Sequence, residues 1–298
     1  MKLSSNIFDK VVLGTANFGM PYGLNNSNSA LNIVNINDLL KYSQKNQINY
    51  LDTAEAYGSS QEVLGRVGVQ NFKIITKVKP IKDKSISKET INVIEQNLYQ
   101  TLKKLKVKSV DTYLIHHSND LEKKGSQLLY DFLIRKKEAG LINNIGVSAY
   151  STEEVQSIVQ RFNIDVVQMP FNIIDRRILD NNFIGYLQKN NVDVHARSIF
   201  LQGLLLKRIE DLPKKFIPWK KLFSYWHSWL NDNQISALTA CSSFALRDDR
   251  IEKVVFGVDN KNQLDEIINS VDLNSLIPPS DLSISDEMLI NPANWSFL

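Results

Sequence analysis

The sequence predicts an α/β fold, a single (β/α)8 TIM barrel. Three observations lead there. Short β-branched runs alternate with amphipathic helical patterns from end to end, and the alternation occurs eight times. Composition does not break along the 298 residues, so one domain spanning 1–298 is expected, with the segment from about 271 as a C-terminal tail. Parallel strands need crossovers, which helices supply, and eight such units in roughly 250 core residues suit a closed sheet. An open, doubly wound sheet would want a glycine-rich phosphate turn after its first strand. The residues there read Leu13-Gly14-Thr15-Ala16-Asn17-Phe18-Gly19, which do not match that fingerprint.

The elements follow in order. Val11 to Leu13 is the first strand, closed by Gly14, and a polar Asn/Ser-rich loop follows. Ile36 to Gln47 is a helix, Ile48 to Leu51 the second strand, Gln61 to Val67 a short helix and Lys73 to Thr76 the third strand. Ser87 to Leu105 reads as a long helix because Ile91, Ile94, Leu98, Leu102 and Leu105 recur at helical spacing; the Ser87 hydroxyl is placed to cap its first turn. Val110 to Ile115 is the fourth strand, Ser126 to Ala139 a helix stopped by Gly140, and Ile142 to Val147 the fifth strand. Ser151 and Glu154 form a capping-box pattern for the next helix. Asp165 to Gln168 is the sixth strand, Asn182 to Lys189 a helix and Val192 to Ala196 the seventh strand. An insertion holding Pro213, Pro218 and the aromatics Trp219, Phe223, Tyr225, Trp226 and Trp229 comes next. Ile235 to Leu246 is a helix, Lys253 to Phe256 the eighth strand and Asn262 to Ile268 the eighth helix.

The formal charge of +3 is small and evenly spread, which argues against a nucleic-acid partner. Lysine runs such as Lys103, Lys104 and Lys106 suit the solvated face of a helix. No run approaches the ~18 apolar residues of a membrane span, and the N-terminal stretch lacks the apolar core of a signal peptide. Cys241 is the only cysteine, so an intramolecular disulfide and four-thiol zinc sites are out; it reads as a small buried side chain, and a reducing cytoplasm is the expected setting. Nothing in the sequence fixes an oligomeric state.

In such a barrel, chemistry sits at the C-terminal ends of the strands. The second strand is followed by Leu51-Asp52-Thr53-Ala54-Glu55-Ala56-Tyr57-Gly58, the third ends in Lys77 and the fourth in His116. Reduction of a carbonyl by hydride puts negative charge on its oxygen, and a nearby proton donor lowers that barrier. A free tyrosine, with a pKa of ~10, is a weak acid. An ammonium beside it should favour the phenolate; Lys77 supplies one and Asp52 holds it. His116 adds a second hydrogen bond to the oxygen. Taken singly, Asp52 could cap a helix, Tyr57 could be a half-buried ring, Lys77 a solvated cation and His116 a satisfied strand-end histidine. His117 should point the other way, toward the rim. Four matching residues at successive strand ends are what favour the joint reading.

These residues lie in motifs that resemble the aldo-keto reductase family: LDTAEAYG at 51–58, ITKVKP at 75–80, DTYLIHH at 111–117, IGVSAY at 145–150, VVQMPFN at 166–172, ARSIFLQGLL at 196–205 and FGVDNKNQLDE at 256–266. The resemblance runs from about Val11 to about Asn269. It implies a NAD(P)H-dependent carbonyl reductase with a catalytic tetrad of Asp52, Tyr57, Lys77 and His116, acting on a small-molecule carbonyl, with NADP(H) favoured over NAD(H). It also implies cofactor contacts. Gly14 and Thr15 match the loop beside the nicotinamide ribose. Ser148 and Gln168 match the carboxamide-binding positions, with Ala149 where an Asn is usual. Arg197 stands where many members stack an aromatic ring on the nicotinamide, and its planar guanidinium can stack in its place. Ser198, Leu201 and Gly203 match the phosphate-side loop; Gly257, Gln263 and Glu266 match the adenosine segment, where a helix N-terminus can face phosphate. Asp259, between two of them, would repel a 2′-phosphate or accept from a free 2′-hydroxyl.

Two other classes stay open. One is a non-catalytic barrel that binds cofactor as a sensor or auxiliary subunit; the other is a metal-dependent lyase, which needs ligands that the four histidines do not cluster to provide. Phe18, Tyr22, His117, Arg176, Arg177, Arg197 and Phe200 are candidate pocket-lining residues. NIIDRR and RSIFLQG resemble a bacterial branch linked to surface-polysaccharide genes, which implies a sugar-like carbonyl.

Overall fold

A computed structural model describes residues 7–21, 23–24 and 31–298, so the expectation for Tyr22 lies outside the described residues. Eight strands form a closed parallel barrel: β1 (Val11–Gly14), β2 (Tyr50–Asp52), β3 (Lys73–Val78), β4 (Val110–Ile115), β5 (Ile142–Ser148), β6 (Val166–Pro170), β7 (Asp193–Arg197) and β8 (Lys253–Gly257). Each pairs with its successor, and β8 closes on β1. The helices are α1 (Ala16–Gly19), α2 (Ile33–Lys45), α3 (Ser60–Val67), α4 (Lys88–Leu105), α5 (Ser126–Glu138), α6 (Thr152–Arg161), α7 (Asn181–Lys189), α8 (Lys220–Asp232), α9 (Ala237–Arg247), α10 (Lys261–Ser270) and α11 (Glu287–Ile290).

The alternation of side chains along each strand divides the apolar residues in two. Leu13, Leu51, Ile74, Tyr113, Val147, Val167, Ala196 and Phe256 join the helices in one large core outside the barrel. Val12, Ile75, Leu114 and Val166 form a small core inside it, with Tyr50 and Val255 against them. Two residues further along each strand, the same inward parity falls on Gly14, Asp52, Lys77, His116, Ser148, Gln168 and Gly257. The apolar plug thus sits directly beneath a polar layer at the C-terminal rim, and one period sets both.

Local signals account for the helix ends. The Ser87 hydroxyl accepts from Thr90 N–H while the Thr90 hydroxyl accepts from Ser87 N–H, a reciprocal cap for α4. Ser151 caps α6 by accepting from Glu154 N–H, but the expected box is only half made: the Glu154 carboxylate instead accepts from the Ser118 hydroxyl at 2.7 Å. The insertion after β7 holds a helix that the sequence reading passed over. In α8, Phe223, Trp226 and Leu230 are buried at helical spacing, and the Trp226 indole donates to Leu205 O at 3.2 Å. Cys241 is buried in α9, where burial pushes its thiol pKa up and keeps it protonated. After Val271 the chain crosses back over the barrel. Ile284 N–H donates to Ile174 O at 2.9 Å, and the Trp295 ring meets Phe216 edge-on at 4.8 Å. Among the described residues no helix is long and apolar enough to cross a membrane.

Candidate active site

Asp52 ends β2 and Lys77 lies one residue short of the end of β3, so both side chains enter the rim layer. The Lys77 ammonium donates to Asp52 Oδ1 at 2.5 Å, to Thr53 O at 3.1 Å and to the Tyr57 hydroxyl at 3.4 Å. Lysine and aspartate are 1% and 3% exposed, so neither charge is compatible with the loss of the other. The second Asp52 oxygen accepts from Gln168 Nε2 at 2.7 Å. Below them Thr15 Oγ1 donates to Asp52 O at 2.9 Å, and Ser60 Oγ lies 3.0 Å from Thr15 Oγ1 and 3.2 Å from Thr53 Oγ1.

Tyr57 sits on the turn after β2, held by its N–H to Ala54 O at 3.1 Å. That turn touches the first loop: Gly58 has φ +56°, and a Cβ there would lie 2.3 Å from Gly19 O. A Cβ on Gly19 would lie 2.2 Å from Tyr57 O, so both glycines are fixed by close approach of two backbones. Glu55, in the same turn, accepts from the Tyr113 hydroxyl at 2.6 Å and from Lys79 N–H at 3.2 Å, which ties the Tyr57 turn to β3 and β4. His116 follows β4, and its ring meets that of Tyr57 edge-on at 6.0 Å.

The electrostatics differ from expectation in one respect. The Tyr57 pKa is raised, not lowered. Burial is the largest cause, the Asp52 carboxylate adds to it, and Arg197 opposes it. A lone ammonium beside Tyr57 would lower its pKa, whereas the Lys77–Asp52 pair carries no net charge. Tyr57 therefore rests with its proton in place. Burial lowers the His116 pKa to about 3, with Lys77, His117 and Arg197 adding to the effect, so its imidazole is neutral at physiological pH.

These groups line one cleft of about 800 Å³, a volume within the usual range for small-molecule and cofactor sites. It runs from Tyr57, Lys77, His116 and His117 past Ser148, Tyr150, Gln168 and Arg197 to Gly257, Asp259, Gln263 and Glu266. Gly14 and Gly257 are register partners on β1 and β8, both in the rim layer, so its floor there has no side chains. Ser198 and Gly203 line the loop after β7. Leu201 does not; it is fully buried, although its φ of +47° helps turn that loop. Asp259 is held in place: Oδ1 accepts from Asn17 Nδ2 at 2.8 Å and Oδ2 from Gln263 Nε2 at 3.2 Å. A long cleft with a bare floor, polar side groups and a helix N-terminus (Asn260 caps α10) fits an extended dinucleotide lying from the tetrad to α10.

The sequence profile of the Aldo/keto reductase family matches residues 10–290. The chain belongs to that family. It is 24% identical to the uncharacterized oxidoreductase YqkF of Bacillus subtilis (strain 168) over 248 residues, 77% of this chain and 79% of that one. It is 22% identical to L-glyceraldehyde 3-phosphate reductase of Escherichia coli (strain K12) over 202 residues, 59% of this chain and 57% of the relative. In three dimensions it is similar to an aldo-keto reductase from Bacillus halodurans, with TM-score 0.68, 17% identity and coverage of 92% and 89%. A glycerol dehydrogenase from Gluconobacter oxydans gives TM-score 0.69, 20% identity and coverage of 92% and 88%. The chain is thus an NAD(P)H-dependent oxidoreductase of a family that acts on carbonyl compounds.

Several residues expected to line the cleft lie elsewhere. Arg176 donates to Ile173, Pro278 and Pro279 carbonyls, and Arg177 pairs with Asp175 and Glu287; neither reaches the cleft. Both arginines anchor the C-terminal tail. Phe18 is buried beneath the first loop and lines nothing. His117 does face the cleft, because the chain leaves its extended course after β4 and enters a turn at Ser118; its ring lies 5.7 Å from that of His116. Arg197 stacks on Tyr150 at 4.2 Å and donates to Ala149 O at 3.1 Å. Tyr150, Asn17, and Pro292 and Ala293 of the tail were missed. Tyr150 carried a signal, since it directly follows Ser148 and Ala149 at the end of β5.

Proposed function

We propose that this chain reduces an aldehyde or ketone to an alcohol, with Tyr57 as general acid and Asp52, Lys77 and His116 completing the site. The observation that carries this reading is the single ammonium of Lys77 bonded at once to Asp52 and to the Tyr57 hydroxyl, on the wall of a cleft shared with His116. A bound reduced nicotinamide would supply the hydride. Tyr57, protonated at rest, gives its proton to the carbonyl oxygen as negative charge develops there. Lys77 then stabilises the phenolate, because it already donates to that oxygen. Neutral His116 donates a second hydrogen bond and orients the carbonyl. Asp52, held from both sides, keeps the ammonium charged and aimed. The buried setting strengthens each of these interactions by excluding water.

Gly14, Thr15, Ser148, Gln168 and Arg197 would hold the nicotinamide end. Ser198, Leu201 and Gly203 would follow the phosphates, Leu201 through its backbone, and Gly257, Asp259, Gln263 and Glu266 the adenosine. The family resemblance favours NADP(H); Asp259 on the cleft wall keeps NAD(H) in contention. A sugar-like carbonyl suits the polar side chains in the cleft wall and the names of two relatives, a glyceraldehyde phosphate reductase and a glycerol dehydrogenase. The test is a turnover screen of aldehydes, ketones and open-chain sugars with NADPH and NADH separately, read by loss of absorbance at the reduced nicotinamide. Oxidation of neither cofactor with any carbonyl, with cofactor still bound, would point to a binding protein instead.

A further inference from the structure

The Tyr57 phenol is held loosely by the groups it would work with. Lys77 reaches its hydroxyl at 3.4 Å, while the same ammonium lies 2.5 Å from Asp52. Such bonds usually span about 2.7–3.2 Å. His116 meets the ring edge-on with centroids 6.0 Å apart. The place of the phenol is therefore set by the backbone of the turn that carries it. Gly58 fixes one flank of that turn, packed against Gly19. On the other flank stands Glu55, a carboxylate for which the proposed reaction has no use.

Glu55 touches both neighbouring strands at once. Its Oε1 accepts from the Tyr113 hydroxyl at 2.6 Å, its Oε2 accepts from Lys79 N–H at 3.2 Å, and its own N–H donates to Lys77 O at 3.3 Å. Tyr113 is fully buried on β4, three residues before His116, and in register with Thr76, the neighbour of Lys77 on β3. Lys79 lies two residues after Lys77, as Tyr57 lies two after Glu55. One side chain thus joins the Tyr57 turn to the strand of Lys77 and to the strand of His116. The join needs a carboxylate, because both partners donate and they approach different oxygens. The amide of a glutamine would turn its NH2 toward one of them. Burial raises the Glu55 pKa, against the Tyr113 bond, the Lys79 N–H and the charges of Lys79 and Lys104. The carboxylate is held where its surroundings work against its charge.

We infer that Glu55 is a positioning residue for the reduction: through Tyr113 and Lys79 it sets where the Tyr57 hydroxyl stands relative to Lys77 and His116. The inference rests on the reading of Tyr57 as the proton donor. Glu55 acts through Tyr57, so its effect on turnover disappears when the phenol is removed. A bond that merely supported the fold would matter equally with or without that phenol.

The test reads kcat and KM for 4-nitrobenzaldehyde with saturating NADPH. Glu55→Gln should lower kcat by about ten- to a hundredfold, the loss that a misplacement near 1 Å brings. Its KM and its NADPH dissociation constant should stay within about twofold. Tyr113→Phe, which leaves the Lys79 bond, should lose less, and the double variant should lose less than the product of the two. In a Tyr57→Phe background, Glu55→Gln should change the residual turnover by less than about twofold. Wild-type kcat in Glu55→Gln, or an equal fold loss with and without the phenol, would overturn the proposal and leave the reductase reading intact. Wild-type kcat in Tyr57→Phe would remove the proton donor, and the proposal with it. Hydrogen exchange reads the same link without turnover. Glu55→Gln should speed exchange over residues 54–60 and leave α5 unchanged. Unchanged exchange over 54–60 would overturn the proposal. Faster exchange there, in a protein that reduces no aldehyde, would sink the reductase reading and leave Glu55 a structural tether only.

Discussion

Gln168 on β6 and Asp52 on β2 stand on opposite walls of the eight-stranded barrel, and the Gln168 amide donates to Asp52 Oδ2 across its mouth at 2.7 Å. With Lys77 on the other oxygen, the buried carboxylate is satisfied on both sides. Gln168→Leu should leave one oxygen without a partner, at a cost of about 1–3 kcal/mol in denaturant unfolding, and should lower kcat by loosening Lys77. In an Asp52→Asn background the same substitution should cost less, because the charge it strands is gone. Equal costs in both backgrounds would show that the contact is idle.

Tyr57→Phe should lower turnover by about 10²–10⁴-fold while NADPH affinity, read by fluorescence titration, stays within about twofold. In the proposed reaction the phenol meets the carbonyl oxygen, whereas the cofactor would be held along the rest of the cleft. A variant that reduces carbonyls at the wild-type rate would remove Tyr57 from the chemistry.

Much of this site was legible because strand parity is a simple rule. Val12, Tyr50, Ile75, Leu114 and Val166 alternate with outward residues, so the side chains two positions on must share one layer. Asp52, Lys77 and His116 could be placed at the rim from spacing, and Tyr57 joins them from the turn after β2. The sign of the Tyr57 shift was not legible, because it depends on how far the turn is buried and on the neutrality of the Lys77–Asp52 pair. Arg176 and Arg177 misled because their partners, the carbonyls of Pro278 and Pro279 and the carboxylate of Glu287, lie a hundred residues or more away in sequence. Helix α8 was obscured by Pro213 and Pro218, which bound it on one side, and by aromatics that read as a cluster before they read as a helical face.

The close approach of Gly58 to Gly19 predicts a positional effect on Tyr57. Gly58→Ala adds a methyl group 2.3 Å from Gly19 O and holds alanine at φ +56°. The conformation alone costs about 1–2 kcal/mol, and the clash forces the turn to move. Gly140→Ala is the control: φ is +71°, but nothing lies within 4 Å. Both should lower Tm; only Gly58→Ala should also reduce kcat. Equal activities in the two variants would show that the Tyr57 turn tolerates displacement.

Two buried histidines predict loss of stability in acid. The pKa values of His116 and His195 are lowered to about 3 from the ordinary 6.5, in each case chiefly by burial, with Lys77 acting on both and Lys253 on His195. Between those values the unfolded chain binds protons that the folded chain refuses, so stability is full above pH ~6.5 and falls as pH drops toward 3. Urea unfolding at pH 7, 6, 5 and 4 should show a decline of up to roughly 3 kcal/mol for each histidine by pH 4. His195→Met, which cannot titrate, should remove about half of it and leave the His116 share. An identical slope in that variant would place the acid-sensitive group elsewhere.

Asp259 is the residue expected to bear on cofactor choice. Its carboxylate is exposed on the cleft wall, yet it is fixed by Asn17 and Gln263 and cannot swing freely away. An ordered negative charge beside the adenosine end should disfavour a 2′-phosphate and accept from a free 2′-hydroxyl. Asp259→Ser should therefore improve NADPH binding relative to NADH. Removing a repulsion of about 1 kcal/mol changes the ratio of dissociation constants about fivefold. Asp259→Asn removes the charge and keeps the size of the side chain, so it separates charge from the loss of the two amide bonds. The gain should shrink as salt is added, because an exposed charge is screened over roughly 10 Å at 0.1 M. A ratio that does not move in either variant at low salt would show that Asp259 does not sense the ribose. Discrimination would then fall elsewhere, for example to the loop after β7 that carries Lys207 and Arg208.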